Sequence, residues 1–265
     1  MTEKIAIVTG GTSGIGLCTA SALKESGSKV YTFSRREFND PRFVHIRVDV
    51  TDPEAAEKAV REVFEAEGRL DIVVNCAGYG ISGAIEFTPA EEAKRQMDVN
   101  FFGMVNVNRP ALTIMREQGG GRIVNTSSMA AVFAIPFQAY YSASKAAINS
   151  YTCALINEVR PYNITVCAVQ PGDIRTGFTA TRKKIEDGNE TYGGRIVRSV
   201  AKMEKDEQTG LDPQKAGDFI AKTALKKNVK PLYTIDFISG AECILDRILP
   251  KSLSYKIVGS MYDGG

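Results

Sequence analysis

Lys4-Ile5-Ala6-Ile7-Val8-Thr9-Gly10-Gly11-Thr12-Ser13-Gly14-Ile15-Gly16 runs from an apolar, β-rich segment through a glycine-rich turn into a helical pattern. Glycines in such a turn permit sharp bends and let a backbone approach a pyrophosphate closely. A helix opening there presents free N–H groups and a partial positive charge. Taken alone, the loop could equally be a flexible turn; its place between a first strand and a first helix favours phosphate binding. Five further apolar runs follow, at residues 29–34, 43–50, 70–77, 121–128 and 163–170. Most are continuous rather than alternating, as in strands covered on both faces. Helical patterns near residues 14–27, 53–67, 90–118 and 140–160 separate them. Regular β–α alternation with right-handed crossovers predicts an α/β chain: a Rossmann-like, doubly wound parallel sheet with helices on both faces.

No linker, repeat or low-complexity segment divides the 265 residues, so residues 1–265 read as a single dinucleotide-binding domain. Residues 177–210 are polar and strand-free, and read as a mobile insertion serving as a substrate lid. Residues 236–265 form a C-terminal extension. Its spacing Phe237-Ile238-x-x-Ala241-x-x-Ile244-Leu245-x-x-Ile248-Leu249 is helical and apolar. Such a stripe ordinarily packs on the core or a sister subunit. A lid over a lipid-like substrate, or a shallow membrane contact, is the alternative.

The formal net charge of +2 supplies no global field for nucleic acid or an anionic membrane. The five cysteines are scattered with no C-x-x-C pair, which fits a reducing compartment without a disulfide framework. The only histidine, His45, leaves no His/Cys zinc pattern, so no metal is expected; it reads as a strand or loop residue. The N-terminus enters a strand at once, without a signal-peptide pattern, and no window is apolar enough to span a bilayer. A cytoplasmic location is expected.

The second strand should end beside an adenosine ribose. An acidic residue there would bond the 2′-hydroxyl and repel a 2′-phosphate. This chain has Ser34-Arg35-Arg36 instead, and a guanidinium can hold a phosphate. NADP(H) is therefore preferred and NAD(H) remains possible; the alternative leaves both arginines as solvated loop charges. Tyr141 and Lys145 stand at i and i+4, on one face of a helix. A nearby ammonium favours the phenolate, so the pair predicts a lowered Tyr141 pKa. With 10 tyrosines in the chain, chance alone yields such a pair about 0.6 times, so the pair needs company. Company is present in the glycine loop, in Ser127-Ser128 at a strand end, and in Asn100 before Phe101-Phe102-Gly103.

Across residues 4–177 the chain resembles the short-chain dehydrogenase/reductase family. The motifs are T-G-x-x-x-G-I-G at Thr9–Gly16, N-x-A-G at Asn75–Gly78, Asn100 within Asp98-Val99-Asn100, a serine thirteen before the tyrosine, Y-x-x-x-K, and P-G-x-x-x-T at Pro171–Thr176. The resemblance implies roles. Tyr141 is the general acid in reduction and the base in oxidation. Lys145 lowers its pKa and holds the nicotinamide ribose, and Ser128 steadies the substrate oxygen. Asn100 carries a water that relays protons. Cofactor contacts are implied for Gly10, Thr12, Ser13, Gly14, Ile15 and Gly16, for Ser34, Arg35 and Arg36, and for Asp49 and Val50. They are implied also for Asn75, Ala77 and Gly78, for Pro171, Gly172, Ile174 and Thr176, and for Tyr141 and Lys145 themselves. Ser128 could instead be a locally bonded strand-end hydroxyl, and Asn100 a helix-kink residue. Ser127 and Tyr140 are adjacent decoys. Cys76 replaces an asparagine common in the family pattern and reads as a buried small hydrophobe.

Phe133, Ile135, Phe137, Phe178 and Tyr192 suggest an apolar substrate pocket, unless they only pack the lid. Arg182, Lys183, Lys184, Arg195, Arg198 and Lys202 make the lid basic, either to greet an anion or as a solvated charge run. A bulky hydrophobic carbonyl or alcohol, such as a steroid, bile acid, fatty acyl or lipid ketone, is the expected small-molecule partner. Family analogy adds a homodimer or homotetramer through the helices near 90–118 and 140–160. A redox sensor or scaffold that binds dinucleotide without turnover is the alternative function; it would be free to lose Tyr141, Lys145 or Ser128. An epimerase or dehydratase would need a longer substrate domain.

Overall fold

The computed structural model describes residues 3–262. Its elements in chain order begin with β1 (Lys4–Thr9), α1 (Gly14–Glu25), β2 (Ser28–Ser34), β3 (Val44–Arg47), α2 (Pro53–Glu67), β4 (Ile72–Asn75) and β5 (Ile81–Ser82). Then come α3 (Ala90–Met97), α4 (Gly103–Glu117), β6 (Gly121–Thr126), α5 (Ala139–Val159) and β7 (Ile164–Gln170). The last third holds α6 (Phe178–Thr181), β8 (Lys183–Lys184), α7 (Arg195–Thr209), α8 (Pro213–Leu225), β9 (Leu232–Thr234), α9 (Phe237–Ile248) and α10 (Lys251–Tyr262). Seven strands make one sheet in the order β3-β2-β1-β4-β6-β7-β9, every neighbouring pair parallel. The order reverses between β1 and β4. That switch point opens a crevice at the strands' carboxyl ends.

Both faces of the sheet are covered. Ile5, Ile7 and Val73 pack with Val60 and Val63 of α2, Val107 and Ile114 of α4, and Leu155 of α5. Ala6, Val8 and Val74 pack on the other side with Leu23 of α1 and Ile220 of α8. This two-sided burial is why the strands read as unbroken apolar runs. The helix boundaries have local causes. Asp52 accepts from the N–H groups of Glu54 and Ala55, Pro53 follows at the first helical position, and Gly68 closes α2 at φ 69°. Asp212 before Pro213 opens α8 in the same way.

Four features differ from the sequence reading. The helical pattern at 90–118 is interrupted: α3 gives way to a π-helical turn, Asp98–Phe102, before α4. Residues 177–210 contain a strand. β8 pairs with β5 through backbone groups alone, so its two lysines hide it from a hydropathy pattern. With α6 and α7, and with an isolated bridge from Ile174 to Leu211, the segment carries regular structure joined to the body of the fold. A seventh strand, β9, also completes the sheet; its three residues are too few to show a period. Finally, the apolar stripe of α9 does not pack on the core: Phe237, Ile238, Ile244, Leu245 and Ile248 are exposed.

Helix α8 lies against α1 so closely that a Cβ on Gly217 would sit 2.5 Å from the carbonyl carbon of Cys18. Gly217→Ala should therefore destabilise the fold by about 1–3 kcal/mol, lowering Tm by several degrees in a thermal melt. Gly259→Ala in α10, where the added atom meets nothing within 4 Å, should leave Tm level or raise it.

Candidate active site

The crevice begins at the end of β1. Thr9 Oγ1 accepts from the N–H groups of Cys76 and Ala77, both at 3.1 Å, and so pins the β4 loop beside the glycine turn. Gly10 adopts φ 64°, and a Cβ there would lie 3.0 Å from the Ala77 backbone. A Cβ on Gly16 would strike the Gly10 carbonyl at 2.3 Å. These glycines are what allow the start of α1 to sit on the strand ends. No side chain caps that start: Ser13 makes no capping bond. Opposite, Thr176 stands 3.6 Å from where a Gly14 Cβ would be. An uncapped helix N-terminus facing a polar wall fits a dinucleotide pyrophosphate.

The residues expected along this crevice divide. Thr12 and Gly14 border it half-buried and Ser13 exposed, while the Ile15 side chain packs into the core. Ala77 and Gly78 border it, and a Gly78 Cβ would lie 3.2 Å from Asn100 Oδ1. The Asn75 side chain does not face the crevice. Its amide donates to Asn108 Oδ1 at 2.8 Å and Asn125 Oδ1 at 3.0 Å, bracing β4 against α4 and β6. Asp49 accepts from the Thr51 N–H and hydroxyl and shapes the turn into α2. Val50 is buried in the core, and its carbonyl accepts from Asn106. Ser34 donates to the Arg36 carbonyl, leaving Arg35 and Arg36 exposed. Arg47, paired with Ser34 across β2 and β3, donates to the Arg35 carbonyl and brings a third guanidinium to this edge. Only strand register reveals it. His45 is structural: its ring meets Thr32 Oγ1 and the Arg36 carbonyl. Pro171 accepts from the Met129 N–H, Gly172 borders Ser239, and Ile174 is buried in its bridge.

The chemistry lies where β6 meets α5. Lys145 is 6% exposed and donates to the Thr126 carbonyl at 2.8 Å, with Nζ 5.6 Å from the centre of the Tyr141 ring. Ser128 stands within reach of the Tyr141 phenol, favouring its ionised form, and accepts from the Ala130 N–H. Both decoys are occupied elsewhere: Ser127 donates to the Lys145 carbonyl, and the Tyr140 hydroxyl to Ile85. Asn100 sits in the π-helical turn, accepts from the Tyr79 N–H, and donates to the Tyr79 carbonyl and to Ser144 Oγ. It therefore does satisfy backbone groups at a helix irregularity, directly behind Gly78 and Lys145. Cys76 lies 3.2 Å from Thr126 Oγ1, and burial pushes its thiol up to about 11, so it is inert at neutral pH.

Tyr141 titrates in the opposite direction to the sequence reading. Burial pushes it up to about 12, against the Ser128 hydrogen bond and the Arg182 charge, which lower it. Burial likewise brings Lys145 down to about 8. Desolvation is the largest cause in both: it penalises the phenolate of Tyr141 and the ammonium of Lys145 alike.

Two lid residues matter that no sequence signal singled out by role. Arg182 belongs to a basic run, yet its side chain is wholly buried in an ion pair with Glu207. Its guanidinium lies 5.5 Å from the Phe178 ring, which in turn lies 5.6 Å from Tyr141. Glu207 also accepts from Thr179 at 2.6 Å. The solvated reading suits Lys183, Lys184 and Lys202, which pair near the surface with Glu92, Glu204 and Asp206, but not Arg182. Phe137 and Tyr192 pack edge to face at 5.6 Å, Arg195 lies over Phe137, and Arg198 donates to the Gly193 carbonyl. Phe133 and Ile135 are half-buried nearby in sequence.

A family model described as short chain dehydrogenase matches residues 4–187. A 3-ketodihydrosphingosine reductase of Bacteroides thetaiotaomicron is 39% identical over 262 residues, covering 96% of this chain and 97% of that protein. A probable short-chain type dehydrogenase/reductase of Helicobacter pylori is 30% identical, covering 94% of each. Among solved structures, a short-chain dehydrogenase from Streptomyces avermitilis superposes with a TM-score of 0.85 at 27% identity, covering 98% of each chain. The chain belongs to the short-chain dehydrogenase/reductase family, and is an NAD(P)-dependent oxidoreductase acting on CH–OH groups.

Proposed function

We propose that the enzyme interconverts a lipid ketone and its secondary alcohol with NADP(H), Tyr141 serving as general acid and base. The observation that carries this reading is the Tyr141 phenol, with Ser128 beside it and the buried Lys145 ammonium 5.6 Å from its ring, at the mouth of the crevice. The bound dinucleotide supplies or accepts the hydride. Gly10, Gly14, Gly16 and Thr176 would hold its pyrophosphate, Arg35 and Arg36 its 2′-phosphate, and Lys145 its nicotinamide ribose. In reduction Ser128 donates to the carbonyl oxygen and Tyr141 transfers its proton to the developing alkoxide. Lys145 favours the phenolate that remains, and Asn100 braces the loop on which Gly78 sits. The raised Tyr141 keeps the phenol protonated at neutral pH, the form that reduction consumes.

Phe178 against Tyr141, with Phe137 and Tyr192 beyond it, favours an apolar substrate. The name of the Bacteroides relative points to a long-chain ketone. The outer face of α5 exposes Ala143, Ala146, Ser150 and Ala154, small enough for helix packing in a dimer or tetramer. Retention of the whole Ser128, Tyr141 and Lys145 set argues against a binding-only protein. No helix among the described residues is long and apolar enough to cross a membrane, in keeping with a cytoplasmic enzyme.

Three measurements test the reading. Tyr141→Phe should keep NADPH binding, read by fluorescence titration, while ketone turnover falls by about 10²–10⁴; unchanged turnover refutes the assignment. Arg35→Ala should weaken NADPH about tenfold and leave NADH nearly untouched; equal effects refute the 2′-phosphate contact. Alcohol oxidation needs the phenolate, whose formation is delayed by a pKa near 12, so kcat for oxidation should rise with pH up to about 8, where loss of the Lys145 charge that favours the phenolate flattens the climb. Reduction uses the protonated phenol and should fall only where Lys145, near 8, loses its charge.

A further inference from the structure

Helices α9 and α10 are built with their polar sides inward. The buried residues of α9 are Ser239 and Asp246, and those of α10 are Ser254 and Val258. The polar inner seam is fully tied: Asp246 accepts from Ser254 at 2.6 Å and from Lys251, while Asp236 accepts from Ser239 N–H and hydroxyl. These bonds fix the hairpin with its apolar side outward. On α9 that side carries Phe237, Ile238, Ile244, Leu245 and Ile248, with Phe237 89% and Ile248 74% exposed. On α10, Leu253, Ile257 and Met261 are also exposed, at four-residue spacing along one flank. A helix facing water normally shows the opposite arrangement.

We infer that this outward face is a docking surface for an anionic lipid bilayer, on which the enzyme rests with its substrate crevice at the membrane. Two observations choose a bilayer over other occupants. The first is charge. Arg247 and Lys256 rim the apolar stripes beside Lys251, whose charge Asp246 answers, whereas Glu242 is the only exposed acid on the two helices among the described residues. A second copy of this chain would bring the same cations to the contact with only Glu242 to answer them; an anionic headgroup layer attracts them. The second is position. Ser239 lies 3.4 Å from where a Cβ on Gly172 would be, and Cys243 meets Met129, next to the active-site Ser128, at 3.8 Å. At the other end α10 packs on α7, and Tyr262 lies beneath Lys202 of the lid. The inner side of the hairpin thus walls the crevice, and a bilayer against its outer side would lie one helix thickness from the mouth, where a ketone too apolar for water would enter. That purpose rests on the lipid-ketone reading; binding of the protein to vesicles does not.

The test uses the full-length enzyme and vesicles of phosphatidylcholine with phosphatidylglycerol, with no substrate present. The wild type should co-sediment with the vesicles, less so at high salt. The double variant Ile244→Asp with Ile248→Asp should lose at least about tenfold in partitioning while its melt and its turnover of a small water-soluble ketone stay unchanged. The chain contains no tryptophan, so Ile248→Trp supplies a single reporter whose emission should shift to the blue on adding vesicles. That reading does not depend on the charged variant folding. Wild type that stays in the supernatant, equal sedimentation of the double variant, or a tryptophan that does not respond would overturn the proposal. So would a dimer in solution that the double variant splits without any vesicle binding, since a second copy would then cover the face. Vesicle binding without turnover of any ketone would count against the proposed substrate and leave the docking surface standing.

Discussion

An ammonium group drawn into the protein interior is tolerated only where its charge is answered. Lys145 meets that condition at one place, the carbonyl end of β6, where Thr126 accepts its proton. Much of the surrounding architecture serves that bond. β6 must end at that point for the carbonyl to be free of the ladder, α5 must begin early enough to bring Lys145 over it, and Ser127 fastens the two by bonding the Lys145 backbone. With the lysine fixed, the phenol one turn earlier has a single place to stand. Its neighbours are then Ser128 on one side and Phe178 on the other.

Behind the site the polar groups are arranged in depth. Asn75 bonds Asn108 and Asn125, and Asn125 donates to Thr152, so a chain of amides runs from β4 through β6 to α5. In a dry interior the amide N–H groups of Asn75 and Asn125 find acceptors in this chain, while the Asn75 carbonyl oxygen is left without a partner. The arrangement ties α4, which follows the turn holding Asn100, and α5, which carries Tyr141, to the same two strands. A sheet with apolar residues at these positions would bury as much surface but would not specify the register so narrowly.

What could be read from sequence was what depends on neighbours in the chain. The glycine turn, the strand runs and the tyrosine–lysine spacing are all local patterns, and the observed elements match them closely. The third guanidinium, Arg47, needed the alignment of β2 with β3. Asn75 reads as a cleft residue because it stands in a cleft motif, yet its side chain turns toward α4. The lid escaped for a plainer reason: two lysines can form a strand when the partner backbone is in place, and no hydropathy pattern records that. Arg182 escaped because a buried guanidinium looks, in sequence, like any other charge in a basic run. The sign of the Tyr141 shift required knowing how deeply the phenol is enclosed.

The π-helical turn at Asp98–Phe102 inserts one residue into a helix that would otherwise be continuous. An added residue advances every later side chain by about 100° around the axis. The segment before it and the segment after it are thereby decoupled in phase. α3 can aim Gln96 at the backbone of Tyr79 and Ile81, while α4 aims Val107 and Ile114 at the sheet, although no single regular helix could do both. Removing one residue from the turn would rotate the two halves back into step, and one of these faces would have to be surrendered.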